Sequence, residues 1–255
     1  MQPFLCFRLY GPMAAWGDVA VGERRPALAQ PSRSGVLGLI AAAWGLRRSD
    51  ADALQTLDDG LGFASRLERR GELLVDYHTA QVPSGPEVRA ALKRRARLDA
   101  RRDELKAKED RDAIQSWRTY FLDAVASACV WHTSGSRAPA LDQLAAKLRA
   151  PTFVPYLGRK ACPVALPLDA KLVEAANPVD ALAQVHFPAD ALLGANGRAH
   201  PEPEVFRWEG EWPGLKPDQT VTRRDRLLSR ARWHFAERQE HVLQRQVGDH
   251  VPQPS

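Results

Sequence analysis

The fold of this chain is decided by FLCFRLYGP (residues 4–12) and SRSGVLGLIAAAWG (residues 32–45). The first stretch is apolar on both faces except at Arg8, which predicts a strand in the middle of a sheet. Gly11 and Pro12 end that strand. The second stretch is apolar nearly all round and begins with serines that can cap a helix, so it predicts a buried helix.

Strand and helix patterns then alternate along the chain. Residues 61–67 and 72–78 are strand-like runs joined by a tight turn, and residues 117–131 have the aromatic and β-branched content of one core strand. Residues 141–149 predict a short amphipathic helix. The order of these elements predicts an α+β fold with a ferredoxin-like (RRM-like) βαββαβ domain over residues 1–150.

Two regions depart from this pattern. Residues 87–111 carry ten Lys or Arg, six acids and few large apolar side chains. They predict an insertion into the domain at about 87–112, as a solvated helix or a mobile segment. Residues 151–255 are rich in proline at first and end in a basic stretch, with seven arginines and three acids between 223 and 245. They predict a loop-rich C-terminal β region with a basic terminal arm.

Composition narrows the class of protein. The formal net charge of +5 is compatible with a polyanionic partner, although many basic proteins bind no nucleic acid. Three widely spaced cysteines predict buried thiols in a reducing compartment and neither a disulfide framework nor a zinc site. The uncharged apolar run at residues 35–46 is shorter than the ~20 residues that span a bilayer. We therefore expect a cytoplasmic protein with no membrane segment, metal or cofactor.

Six blocks of sequence are more specific than composition. They are GPMAAWG (11–17), RRPALAQPSRSGVLGLIAA (24–42), DYHTAQ (76–81), IQSWRTYFLDA (114–124), PYLGRKACPVALPL (155–168) and RWHFAERQEHV (232–242). In this order they resemble the CasD family of type I-E Cascade subunits, which belong to the repeat-associated RNA-binding (RAMP) superfamily. The blocks touch both ends and the middle of the chain.

The resemblance implies a fold and a function. It implies a ferredoxin-like domain with a protruding thumb, which corresponds here to residues 87–111. In the family this thumb is normally a β-hairpin rich in β-branched residues, whereas residues 87–111 are rich in charged residues. It also implies a non-catalytic subunit of an antiviral ribonucleoprotein complex that caps the 5′ handle of the CRISPR RNA. Its partners would be the backbone subunit, the large subunit and, indirectly through the complex, target DNA.

The resemblance and the local chemistry together select candidate RNA-binding residues. These are Arg24, Arg25, Arg33, Ser34, His78, Arg118, Tyr156, Gly158, Arg159, Lys160, Arg232 and Arg238. Arginines and backbone amides at a helix start can hold phosphates, although a solvated loop is the simpler interpretation. In the loop around Gly158, glycine permits close backbone approach, and Tyr156 offers a ring on which a base can stack. We expect Trp117 in the core and Arg118 on the RNA.

Two other functions stay open at this point. His78, next to Tyr77, could act as the general base of a metal-independent endoribonuclease that processes precursor CRISPR RNA, as the homologous protein does in type I-C systems. A hydrogen-bonded structural histidine is the simpler interpretation. The remaining alternative is a general basic RNA-binding protein with no CRISPR role.

Overall fold

The computed structural model of the protein describes residues 1–82, 86, 112–185, 203–229, 232 and 234–246. These residues form a mixed α and β fold. The chain divides into a first compact unit (1–18, 27–74 and 120–255) and a second compact unit (19–26 and 75–119). The predicted boundary at residue 150 coincides with no border of either unit. The predicted insertion at about 87–112 lies, apart from residue 112, outside the described residues.

The strands are, in chain order, β1 (Gln2–Tyr10), β2 (Met13–Ala14), β3 (Trp16–Gly17), β4 (Arg24–Arg25), β5 (Ala27–Leu28), β6 (Leu61–Arg69), β7 (Glu72–Val82), β8 (Asp112–Leu122), β9 (Val125–His132), β10 (Lys171–Ala175), β11 (Glu204–Trp208), β12 (Gln219–Ser229) and β13 (His234–Arg245). The helices are α1 (Arg33–Trp44), α2 (Ala51–Gly60), α3 (Leu141–Arg149) and α4 (Pro178–Gln184). The helices predicted within residues 32–45 and at 141–149 are therefore present as α1 and α3.

The first unit is organised around a seven-stranded sheet in the order β10-β1-β9-β6-β11-β13-β12. Every neighbouring pair in it is antiparallel. Leu5, Phe7 and Leu9 of β1 pack in one apolar cluster with α1 and α3. Phe4 and Cys6 of the same strand pack in a second cluster with α4 and β11. Strand β1 is thus buried on both faces, which explains why its sequence does not alternate.

Two strand assignments differ from the sequence-based prediction. Strands β6 and β7 follow one another through a turn at Gly71 (φ +75°), but β6 pairs with β9 and β11 while β7 pairs with β8. The run 117–131 is two strands, β8 and β9, because the chain reverses at Asp123 (φ +53°). Aspartate tolerates this left-handed backbone better than most residues, and Asp123 is the only acidic residue within 117–131.

The C-terminal region is more regular than its prolines predict. Strands β12 and β13 form a hairpin of 11 and 12 residues, and β10 and β11 join the same large sheet. Among the described residues of this region, 151–170 and 209–218 form loops and turns. The predicted basic arm corresponds to this hairpin.

The second unit contains β4 and the parts of β7 and β8 that fall within residues 75–119. Strand β4 runs parallel to β8, with Arg24 opposite Trp117 and Arg25 opposite Arg118. Strand β7 also pairs with β8.

All three cysteines are buried and form no disulfide. Cys6 lies opposite Cys129 on neighbouring strands, and burial raises the pKa of the Cys129 thiol well above its ordinary value. The prediction of buried thiols is therefore confirmed. No group of three or more potential metal ligands occurs among the described residues. Over the same ranges, no helix has both the length and the apolar character needed to cross a membrane.

Candidate nucleic-acid interface

The second unit brings three of the predicted arginines together. Arg24 and Arg25 of β4 are exposed, and the pairing of β4 with β8 sets Arg25 beside Arg118. The Arg25 guanidinium donates to the carbonyls of Gly22 and, at 3.0 Å, of Arg24. The half-buried Arg118 donates through Nε to Ser116 Oγ at 3.3 Å. Arg118 lies more than 90 positions after Arg24 and Arg25 in the sequence, and the pairing of β4 with β8 brings it beside them.

Trp117 does not lie in the core, contrary to the sequence-based prediction. Its side chain is 38% exposed, whereas the neighbouring Ser116 is buried. The Trp117 ring instead contacts the exposed ring of Tyr77, with 5.3 Å between ring centroids and 49° between ring planes. The alternation along β8 predicts that Ser116 and Trp117 point to opposite faces, but not which face the rest of the protein covers.

His78 is half-buried in the second unit. Its backbone carbonyl accepts a hydrogen bond from Ser116 Oγ at 3.5 Å. Its Nδ1 atom is buried and has no hydrogen-bond partner among the described residues. An imidazole that works as a general base is usually oriented by a hydrogen bond at its second nitrogen. The described residues therefore supply no orienting contact at Nδ1 of His78.

In the first unit, a separate basic loop contains Tyr156, Arg159 and Lys160. Its backbone is held by hydrogen bonds from Leu157 N to Cys162 O (2.8 Å) and from Ala15 N to Leu157 O (3.0 Å). Tyr156 is half-buried and Lys160 is exposed. The Arg159 guanidinium lies 4.9 Å from the centroid of the Tyr120 ring. This loop therefore offers two cations in a fixed backbone frame.

Gly158 serves this loop in a different way from the one predicted. Its backbone adopts φ +85°, and a Cβ atom there would overlap the carbonyl oxygen of Ala15. The close approach that glycine permits is thus to the protein's own backbone rather than to RNA. Gly158 is consequently a positioning residue for Arg159 and Lys160.

We expect Gly158→Ala to lower the free energy of unfolding by about 2–5 kcal/mol, because left-handed strain and steric overlap add. Gly214→Ala is the matched control, since Gly214 has φ +78° with open space around its Cα. It should cost only about 1–2 kcal/mol, the strain alone. Urea unfolding of both variants measures the difference, and equal losses would contradict the role assigned to the Ala15 contact.

The sequence predicts an anion site at the start of α1, but Arg33 is not available for it. Arg33 is 3% exposed, and its guanidinium forms ion pairs with Asp58 and, at 3.1 Å, with Glu209. Its backbone N–H donates to Asp225 Oδ2 at 2.8 Å, so a carboxylate of the protein already occupies this helix start. Ser34 is half-buried and lines a small, partly open pocket with Asp58. Burial and internal pairing remove Arg33 from the candidate interface, whereas an RNA contact of the half-buried Ser34 stays a prediction.

The prediction that Arg238 binds RNA is wrong for the same reason. It is 9% exposed and donates to Asp225 at 2.7 Å and to Glu240 at 2.6 Å. Burial disfavours the charge of Arg238, but Asp225, Glu240 and Glu209 outweigh it and raise the pKa of its guanidinium above the ordinary value. Arg232 is exposed near the turn of the β12–β13 hairpin and remains a candidate.

Arg33 and Arg238 belong to one arginine–carboxylate cluster that no sequence pattern predicts. Its members are Arg33, Arg207, Arg223, Arg238, Asp58, Glu209, Asp225 and Glu240. The cluster joins the start of α1 and the end of α2 to β11 and the terminal hairpin. The one feature of the sequence that could have indicated this cluster is the placement of Asp225, Glu237 and Glu240 among the arginines between 223 and 245.

Comparison with known proteins identifies the class. A model of the family described as CRISPR-associated protein (Cas_Cas5) matches residues 4–240, so the chain belongs to this family. The "CRISPR system Cascade subunit CasD" of Escherichia coli (strain K12) is 32% identical over 182 residues, covering 71% of this chain and 76% of that protein. The family membership that the sequence blocks predicted is confirmed.

Solved structures agree with this assignment. A chain of a "CRISPR RNA-guided surveillance complex" matches with a TM-score of 0.61 and 28% identity, covering 95% of this chain and 90% of that one. A structure titled "Crystal structure of Cas protein" matches with a TM-score of 0.53 and 22% identity over 95% of this chain and 94% of that one. The second match supports the fold alone.

Proposed function

We propose that this protein is a non-catalytic CRISPR-RNA-binding subunit of a type I-E Cascade complex and caps the 5′ handle of the guide. The observation that carries the proposal is the 32% identity to a Cascade subunit CasD over 71% of this chain. In the assembled complex it contacts the backbone and large subunits, and it meets target DNA only through the complex. The structural match to a chain of a surveillance complex supports the same assembly.

We further propose that the ferredoxin-like unit consists of β1, β6, β9 and β10 with the helices between them. Two features support this. The four strands stand in the order β10-β1-β9-β6, that is fourth, first, third, second, and all neighbours are antiparallel. Helices α1 and α2 connect β1 to β6, and α3 connects β9 to β10, as in a split βαβ repeat. The proposed thumb, residues 87–111, lies outside the described residues.

Two basic surfaces are proposed to hold the RNA backbone, one in each unit. The surface of the second unit consists of Arg24, Arg25 and Arg118. The surface of the first unit consists of Arg159 and Lys160 beside Tyr156. Guanidinium groups bind phosphate in a bidentate manner, and each phosphate that is neutralised releases counterions. Arg232 adds one exposed cation on the terminal hairpin.

A labelled precursor CRISPR RNA tests this function against its alternatives. We expect the full chain to bind the handle-containing RNA, to enter the complex in a handle-dependent manner, and to leave the RNA uncut with or without divalent metal. Gel electrophoresis of the RNA after incubation measures cleavage, and affinity for an unrelated RNA of equal length measures selectivity. Specific cleavage that His78→Ala abolishes would establish the endoribonuclease instead. Equal affinity for both RNAs would establish a general RNA-binding protein.

A further inference from the structure

The second unit exposes two aromatic side chains that touch each other. Tyr77 is 53% exposed and Trp117 is 38% exposed, although each ring could bury a large apolar area. Their rings meet with 5.3 Å between centroids. Single exposed apolar residues are ordinary, but an adjoining pair of large rings on a sheet surface marks a contact site.

The charge beside this pair is positive. Arg24 lies directly opposite Trp117 in the parallel pairing of β4 and β8, so the two side chains project to the same face. Trp117 N donates to the carbonyl of Glu23 at 3.1 Å, which holds β4 and its arginine against Trp117. A flat apolar ring with a guanidinium one strand away matches a nucleotide, which combines a flat base with an anionic phosphate.

The ring geometry limits how a base can bind. The two rings are in contact and tilted by 49°, so a base cannot be sandwiched between them. A base can stack on the outer face of one ring while the other ring supports it from the side. A base in a duplex is already stacked on its neighbours and cannot reach this surface without being extruded.

We propose that the Tyr77–Trp117 pair is a stacking platform for one unpaired base of single-stranded RNA, with Arg24 holding the adjacent phosphate. This inference rests on the proposed function, because it takes the RNA strand to be the bound partner. In this proposal the second unit binds one nucleotide whose base is not stacked on its neighbours in the RNA. The basic loop of the first unit contributes backbone contacts independently.

The test uses the full chain and the single-stranded repeat RNA of its own CRISPR array, alone or annealed to its complement. Trp117→Ala and Tyr77→Ala are each expected to weaken binding of the single strand by about ten- to hundredfold, the range for loss of one base–aromatic stack. Trp117→Phe keeps a ring and should bind within about threefold of the parent. Binding of the duplex should change little in all three variants.

Salt dependence separates stacking from charge. Trp117→Ala should leave the slope of log affinity against log salt unchanged, while Arg24→Ala should reduce its magnitude by about 0.7, the value for one phosphate on a single strand. Ile114→Ala is the matched control, because Ile114 is 54% exposed on the same strand but on the opposite face from Trp117. It should bind RNA like the parent. Thermal midpoints of all variants report whether the fold is kept.

Each outcome has a definite meaning. A parent protein that binds no RNA overturns the proposed function and this inference with it. A parent that binds RNA, with Trp117→Ala and Tyr77→Ala variants that bind equally well, overturns the platform and leaves the proposed function standing. Unchanged RNA affinity with failed entry into the complex would make the ring pair a protein contact and also overturn the platform. If Trp117→Ala fails to fold, Tyr77→Ala and the Arg24→Ala salt slope decide the question.

Discussion

Replacing Arg33 by alanine is expected to lower the free energy of unfolding by about 3–5 kcal/mol, the range for removal of one partner from a buried ion pair. Arg33 and Asp58 are each 3% exposed and form an ion pair. The same guanidinium donates to the backbone carbonyls of Asp58 (2.5 Å) and Leu61 (3.1 Å). The substitution therefore leaves a buried carboxylate and two carbonyls without their donor.

The stability that Arg33→Ala loses should depend on pH, because the substitution changes the pKa of the Asp58 carboxyl. Burial raises the pKa of the Asp58 carboxyl, and the charge of Arg33 opposes that rise. Without Arg33 the pKa rises further, so the folded variant retains a proton that the unfolded chain releases near pH 3.8. The contribution of Asp58 to the stability of the variant is then fully present below about pH 3.8 and is lost as the pH rises through the higher folded-state pKa. Urea unfolding between pH 4 and 8 measures this trend.

Two variants control the Arg33 experiment. Arg33→Ala/Asp58→Ala removes both charges, and we expect it to regain part of the stability and to lose the extra pH dependence. Arg232→Ala removes an exposed arginine and should change the free energy of unfolding by less than about 0.5 kcal/mol. An Arg33→Ala variant within about 1 kcal/mol of the parent at pH 7 would show that the cluster does not support the fold.

Affinity for handle-containing RNA should fall about a hundredfold between 50 and 200 mM salt. The estimate takes the cations of the two basic surfaces, Arg24, Arg25, Arg118, Arg159 and Lys160, to contact one phosphate each. A single strand contributes about −0.7 per phosphate to the slope of log affinity against log salt, so the slope would be about −3.5. Fluorescence anisotropy over this salt range measures it. A binding constant that is flat over this range would contradict the proposed contacts.

Reversing the charges of Arg159 and Lys160 tests how much of the salt dependence of RNA binding comes from the loop around Gly158. We expect Arg159→Glu/Lys160→Glu to weaken binding and to reduce the magnitude of the slope by about 1.4, for two lost phosphate contacts. Arg47→Glu/Arg48→Glu is the matched control, because it reverses two adjacent exposed arginines and changes the net charge equally. If both double variants bind equally weakly, the effect is one of net charge and the loop around Gly158 is not a contact surface.

The sequence by itself determined the centre of the fold and the family. A strand that is apolar on both faces must be covered on both faces, and β1 lies between two neighbours with an apolar cluster on each side. The uncharged run 35–46 is expected to be buried, and α1 contributes to the same apolar cluster as β1. The order of six sequence blocks was enough to identify the family, because such blocks carry residue-level information that composition and periodicity lack.

Only the tertiary structure decided which basic and aromatic residues face outward. Arg33 resembles Arg24 and Arg25 in its local sequence, yet it is buried because Glu209 and Asp225, 176 and 192 positions away, supply its partners. Arg238 is neutralised in the same cluster. Trp117 is 38% exposed, although it lies in an aromatic and β-branched stretch that predicts a core strand. Burial of a charge or a ring depends on which distant elements pack against it, and local sequence does not record those contacts.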